Sequence, residues 1–454
     1  MSEAKPSIKH PMLWVPTSYL TMGLVYIMVV QASNILFKNL GMENDKSALY
    51  SSLLGFTFTF KPLWSPLLEL FKTKKWWVIL MQFMLTGAFA VMAMTLHLKS
   101  WLIPVFGMMI LTSIMGATQD IGTDGVYVTT LGSRDQAKFT GIQSASWNVG
   151  ALIVTGGLVL LVGILAGEKK GEPAPLPAAY AHAWGIIIGA MAILAGLMAF
   201  WHRLMLPEGA KAENSPKSMG EAMHTFGDAF VTFFKKKDIW MMLAFAFFYR
   251  SAYAMLEKIA PLFLLDPRDK GGMGLNNTQM GVLNGIVGTI AFLIGSVVGG
   301  WIVSRLGLKR TLIYLCLALN VPNVTLLYLG LVQPSSFAII GTVFFIEKFF
   351  WGVGCVGLMI YMMQQMAPGP YKTAHYAFST GLGFNLCGVI MGSASGFLQV
   401  HMGYKTYFVL ALLAAVPSVI FTLLAPFNHG DGTETPKPEG QNQTEPVLAV
   451  AEDE

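Results

Sequence analysis

Charge is what this chain has least of. Of its 454 residues only 12% are Asp, Glu, Lys or Arg, and 54% are hydrophobic, against about 25% charged in an ordinary soluble domain. That excludes a soluble globular protein and leaves one made chiefly of membrane-crossing segments. Cysteine is nearly missing: Cys316, Cys355 and Cys387 all fall inside apolar runs, so buried thiols are expected and a disulfide framework is not. The dipeptide Gly-Lys occurs nowhere, which removes a phosphate-binding P-loop. There is no H-E-x-x-H motif, no G-x-S-x-G elbow and no Cys-based metal cluster, so no metal or other cofactor and no catalytic residue is expected. No segment mixes clustered Lys and Arg with exposed aromatics. The net charge of +5 therefore reflects basic loops and not a nucleic-acid surface.

What is present is a series of apolar runs, each long enough to cross a bilayer, which takes about 20 residues. They cover roughly 14–36, 48–70, 75–96, 101–130, 137–166, 178–206, 238–264, 277–304, 309–330, 335–366, 370–400 and 403–426. No barrel-like alternation is seen, so the expected fold is an all-α membrane protein with twelve transmembrane helices. With the N-terminus inside, the inner segments carry more than twice as many Lys and Arg as the outer ones, which places both termini in the cytoplasm. The first run lacks a convincing cleavage site and reads as a retained helix.

Six runs precede and six follow the longest polar interruption between them. The expected units are a six-helix bundle over 1–206, a cytoplasmic linker over 207–237, a second bundle over 238–427 and a disordered acidic tail over 428–454. In the linker Met223, Phe226, Phe230 and Phe233 recur at helical spacing ahead of Lys235, Lys236 and Lys237, which suits an amphipathic helix at the inner membrane surface. The stretch from Ser65 to Lys75 closes the second run, and the stretch from Gly300 to Arg310 closes the eighth. The recurrence of a small residue, an apolar stretch and a basic loop is what internal duplication produces.

Asp120, Asp124, Arg250, Glu257 and Glu347 sit inside the apolar runs. A charge at bilayer depth costs about 3 kcal/mol or more, so such residues usually face a protein-lined cavity and mark a solute or ion pathway. Asp120 and Asp124 are four apart and Arg250 and Glu257 seven apart, so each pair shares a helix face. A carboxylate in a dry cavity has its pKa raised and a neighbouring cation lowers it again, the physical requirement for coupling to H⁺. Lys61 is the candidate counter-charge for the two acids. Arg250 can hold a substrate carboxylate or phosphate, or pair permanently with Glu257 or Glu347. Of the adjacent Glu347 and Lys348, Glu347 is the one expected to face the cavity centre. Gln31, Asn34, Trp147, Asn148, Tyr253, Asn284, His375 and Asn385 are further cavity candidates; Trp147 and Tyr253 would be platforms for sugar rings. The alternative for each is a helix-packing hydrogen bond, and His375, near the inner start of its run, is either solvated or a proton relay.

Twelve helices in two halves, with a basic loop after the second and the eighth, resemble the major facilitator superfamily. The Gly300 to Arg310 stretch is close to its loop signature, with Ser304 in place of the acid. In the first copy Glu69 stands where Asp is usual. The stretches from Ala117 to Gly125 and from Phe60 to Phe71, the end of the seventh run from Phe263 to Asp266, and the pattern around Glu347 look like the AmpG-type muropeptide permeases and their acetyl-CoA-transporter-like relatives.

The resemblance implies two pseudo-symmetric bundles with spans one, four, seven and ten around a central cavity. It also implies a monomer in the inner membrane, and a cytoplasmic gate made of Glu69, Lys74, Lys75, Arg305, Lys309 and Arg310. It further implies proton-coupled movement of an amino-sugar, muropeptide or other sugar, with another organic anion as the alternative. One departure stands out: AmpG-type proteins usually place an Asp three residues after the cation of the Tyr249–Arg250 pair, where this chain has Tyr253, and Glu257 is a substitute one turn on. A membrane enzyme using Asp120 and Asp124 as an acid pair, or a sensor on a transporter fold, are the competing expectations. Duplicated halves suit alternating access and go unexplained by catalysis.

Overall fold

The described residues of this computed structural model are 10–70, 72–169, 174–209, 218–369 and 371–429, with the side chains of 67, 69, 70, 133, 134, 137 and 140 left aside. Every regular element among them is a helix. Ten helical stretches are long and apolar enough to cross a bilayer. In chain order these are Pro11–Asn39 (span 1), Lys74–Thr95 (span 3), Leu102–Thr130 (span 4), Gly141–Leu165 (span 5), Pro177–Met205 (span 6), Ile239–Leu265 (span 7), Asn277–Leu306 (span 8), Leu308–Val332 (span 9), Phe337–Met366 (span 10) and Lys372–Leu423. The last holds the two final expected spans. Gly403, with φ 73° and ψ 164°, divides it into spans 11 and 12 in a conformation essentially reserved for glycine.

The expected second span does not stand among the ten. Residues 44–70 (span 2) are instead a chain of short helices, Asn44–Leu53, Phe56–Phe60 and Ser65–Leu70, with a tight turn at Lys61–Leu63. Pro62 supplies no N–H, and Lys61 with several serines dilutes the apolar run. Elsewhere the helix starts follow local chemistry. Thr73 Oγ1 accepts the N–H of Trp76 at 3.2 Å to open span 3, Pro177 sits at the first turn of span 6, and Asn276 and Gln279 form a capping box at the head of span 8.

Span 1 packs on spans 4 and 5 and span 3 on spans 4 and 6, while in the second half span 10 packs on spans 8 and 9 and span 7 on spans 11 and 12. The halves touch through span 2 against span 11 and span 5 against span 8. The described ends of the chain lie on one face, where Trp201 donates to Leu13 O at 2.8 Å and Asn428 to Lys237 O at 3.1 Å. This is the terminal face; the other is the far face.

The linker helix, Met219–Phe234, is present, opened by Ser218 accepting from Glu221 N at 3.1 Å. It does not simply lie on a membrane surface. Phe226, Phe230 and Phe233 all meet the ring of Phe378 in span 11, and the helix also packs on Ser65–Leu70 at the end of span 2. Beyond it Lys236 donates to the carbonyls of Met366 and Pro368, and burial pushes its ammonium down to about 8. The expected acidic tail lies outside the described residues from 430 onward. Its first two residues, Asn428 and His429, are held; His429 exchanges hydrogen bonds with Gln365.

Candidate functional site

A cavity of about 470 Å³ lies between the halves. Eight spans line it and not only the expected four: spans 1, 2, 4 and 5 from the first half and spans 7, 8, 10 and 11 from the second. Five of these change to wide turns along their length, at Met28–Ala32, Ile153–Leu158, Gly281–Gly288, Met362–Met366 and Thr380–Asn385. Four of those turns contribute to the lining, with the polar residues Gln31, Thr155, Asn284 and Asn385 among those they supply. Such turns loosen the backbone register and recur where helices serve a site.

Charges from both halves collect here. Lys61 of span 2 and Asp120 of span 4 line the cavity and form an ion pair. Asp124, one turn along, is not part of the lining and takes the hydroxyl of Tyr19 at 2.7 Å. In the second half Arg250 sits at the break between the helices Ile239–Tyr249 and Ser251–Leu265 of span 7. It donates to Glu257 Oε2 at 2.7 Å and to Phe384 O at 2.9 Å, and its guanidinium lies 3.7 Å from the centre of the Phe384 ring. The fork of Arg250 is thus engaged by its own half, and of the pair only Glu257 lines the cavity.

Two expectations are overturned by packing. Glu347 is buried at 4% exposure and pairs with Lys348 at 3.1 Å, and it is Lys348, not Glu347, that lines the cavity. Lys348 is held among the rings of Tyr253, Phe344 and Trp351, with centroids 5.4, 5.0 and 5.5 Å from its Nζ, which is why its stem does not bend away. His375 is neither solvated nor in the cavity lining. It is fully buried under the linker helix, where Nε2 lies 3.1 Å from Ala229 O and 3.2 Å from Thr232 Oγ1.

Gln31, Asn34, Trp147, Asn148, Tyr253, Asn284 and Asn385 do line the cavity. Residues that sequence reasoning missed complete two aromatic walls. Tyr26 meets Phe58 edge-on at 4.7 Å and Trp147 at 5.8 Å on one side. On the other, Tyr253 stacks on Trp351 at 4.9 Å, and Trp351 meets Phe292 at 4.3 Å. Their only sequence signal was aromatic identity inside apolar runs, where a core residue looks the same.

At the terminal face three of the expected gate residues contact their own half or the start of the linker. Lys75 pairs with Glu208 at 3.5 Å, Arg305 lies 6.0 Å from the ring of Trp301 and Lys309 lies 5.9 Å from that of Phe427. Arg310 is exposed, Lys74 is buried against span 4 beside Gly125, and the side chain of Glu69 lies outside the described residues.

The hydrogen bonds that join the halves concentrate at the far face. Asp266, ending span 7, pairs with Lys38 and accepts from Tyr404. It also accepts from Asn44 at 2.8 Å, and Asn44 in turn donates to Gln399 at 2.9 Å. Glu168, after span 5, accepts the N–H groups of Asn277 and Thr278, each at 3.1 Å, and so caps span 8 of the other half with a carboxylate. Glu168 beside two lysines gave no hint of this in the sequence.

The family model described as Major Facilitator Superfamily matches residues 16–383. The anhydromuropeptide permease of Escherichia coli (strain K12) is 24% identical over 385 residues, 84% of this chain and 72% of that protein. A Rickettsia conorii (strain ATCC VR-613 / Malish 7) protein named AmpG 4 is 22% identical over 376 residues, 81% of this chain and 85% of that one. Among solved structures, a D-xylose-proton symporter superposes with a TM-score of 0.66 at 12% identity, covering 93% of this chain and 98% of that chain, a likeness of fold alone.

Proposed function

The chain belongs to the Major Facilitator Superfamily, and from that premise we propose that it is a secondary active transporter. It moves a small polar solute by rocking its halves, 1–206 and 238–427, about the central cavity, with the amino-sugars and muropeptides as solute class. The observation that carries this is the meeting of charged and aromatic side chains from both halves in one shared chamber: Lys61, Asp120 and Trp147 face Tyr253, Glu257 and Lys348. Aromatic faces suit sugar rings, amides suit their hydroxyl groups, and about 470 Å³ suits a solute of disaccharide scale. The anhydromuropeptide permease among the relatives supports the same class.

Energy comes from a proton gradient. The Lys61–Asp120 pair lies at the cavity wall, where drying of the chamber would favour the protonated acid and hydration would favour its ionised form. The excess of basic residues on the terminal face supports a cytoplasmic placement of both termini in an inner membrane, and a chamber lined from both halves of a single chain supports a monomer. The far-face ties described above make this an inward-facing arrangement. The test is uptake into proteoliposomes of anhydro-muropeptides, amino-sugars and oligosaccharides under an imposed pH gradient. Accumulation of an amino-sugar compound that collapses with the gradient is expected; no accumulation of any of them would sink the proposal.

A further inference from the structure

Four cations border or approach the cavity, and three of them have a carboxylate partner: Lys61 with Asp120, Arg250 with Glu257 and Lys348 with Glu347. Lys258 is different. It lines the cavity at 5% exposure, and its Nζ donates to the backbone carbonyl of Val30 in span 1. No carboxylate ion pair reaches it among the described residues. An ammonium carries three donors, so two are left over, and a buried cation satisfied by one neutral carbonyl is costly. Its stem is packed by Ser52 of span 2 and by Gly392 of span 11, whose missing side chain makes room for it, and Asn34 of span 1 holds its backbone carbonyl; the charges that act on it are those of Glu257 and Arg250. Its neighbour Glu257 is taken by Arg250.

A second observation points to the same place. Asn34 Nδ2 donates to Lys258 O at 2.8 Å, which fixes the amide, and its Oδ1 is buried with no partner. Asn34 is 2% exposed and lines the cavity. A cation with spare donors and an amide oxygen with a spare lone pair thus stand together at the wall, complementary to an acid that also carries a hydroxyl or amide N–H.

We propose that Lys258 is the receptor for a carboxylate of the transported solute, with Asn34 accepting a neighbouring donor of the same molecule. The assignment rests on the transport proposal above and narrows it to acidic members of the amino-sugar class. The same lysine bridges span 7 to span 1, so a bound carboxylate draws it from Val30 O and touches the contact between halves.

The test uses the full-length purified protein and two probes that differ by one lactyl acid group, N-acetylmuramic acid and N-acetylglucosamine, with thermal stabilisation as the readout. The acid is expected to bind about tenfold more tightly than the neutral sugar. Lys258→Met should abolish that preference, and Lys258→Arg should retain it. A measurement free of any folding defect is reductive dimethylation of the wild-type protein read by mass spectrometry, in which the acid and not the neutral sugar should protect Lys258. Absence of acid preference in the wild type, its survival in Lys258→Met, or equal protection by both probes would each overturn the assignment. Acid-selective binding without uphill uptake would keep Lys258 as receptor and remove the transporter.

Discussion

Gly156 of span 5 and Gly285 of span 8 meet backbone to backbone. A Cβ placed on Gly285 would fall 2.1 Å from the Cα of Gly156. No side chain fits at that crossing, and it is one of the places where the halves touch. Gly285→Val is therefore expected to hold the far-face halves of spans 5 and 8 apart. Cysteines placed near Asn277 should become reachable by a bulky thiol reagent from the far face, and uptake should stop. Unchanged labelling in the variant would show that the crossing yields.

The Lys61–Asp120 pair predicts an asymmetric pattern of loss. Asp120→Asn strands a lysine and is expected to cost about 1–3 kcal/mol in detergent, less than the larger penalty of a fully dry pair because the cavity wets it. Lys61→Met strands the acid and should cost a similar amount. The double variant Lys61→Met/Asp120→Asn should recover most of the stability in thermal unfolding, while gradient-driven uptake stays lost in all three.

Trp351 stacks on Tyr253 and meets Phe292 at a tilt on the cavity wall. Trp351→Ala removes the centre of that wall and should raise the KM for a sugar solute by about 2- to 10-fold, the range of an aromatic contact. Trp351→Phe should recover part of this. An unchanged KM in the alanine variant would place the sugar elsewhere.

Lys236 gives a pH dependence outside the membrane. Its folded pKa of about 8 lies below the ordinary lysine value because of burial, so between about 8 and 10.4 the unfolded chain holds a proton that the folded one has given up. Stability due to this residue is therefore lowest below about pH 8 and rises as pH climbs through that window. Thermal unfolding from pH 7 to 10 should show a rise that Lys236→Gln flattens.

The helices, the two halves and the clustering of polar groups near a central cavity were legible in the sequence, because burying backbone in lipid leaves so few architectures. Lys61 was readable as the counter-charge of Asp120 for the same reason, since a charge in an apolar run needs a partner. The choice between Glu347 and Lys348 was not. Adjacent residues on a helix point about 100° apart, and the ring of Tyr253, on another span, joins Phe344 and Trp351 in deciding which of them is held at the wall. His375 was misjudged because its cover comes from Ala229 and Thr232, on a helix whose docking site cannot be inferred from its own periodicity. Span 2 was read as one continuous run because the serines and Pro62 that interrupt it are spread among apolar residues.

The docked linker helix has a mechanical consequence. Because it grips His375 on one side and rests against Ser65–Leu70 on the other, the helix Met219–Phe234 acts as a stiff brace between elements of both halves. Tilting one bundle must either drag this brace along or peel it from a neighbour, so the cost of the stroke depends on a helix that never touches the cargo.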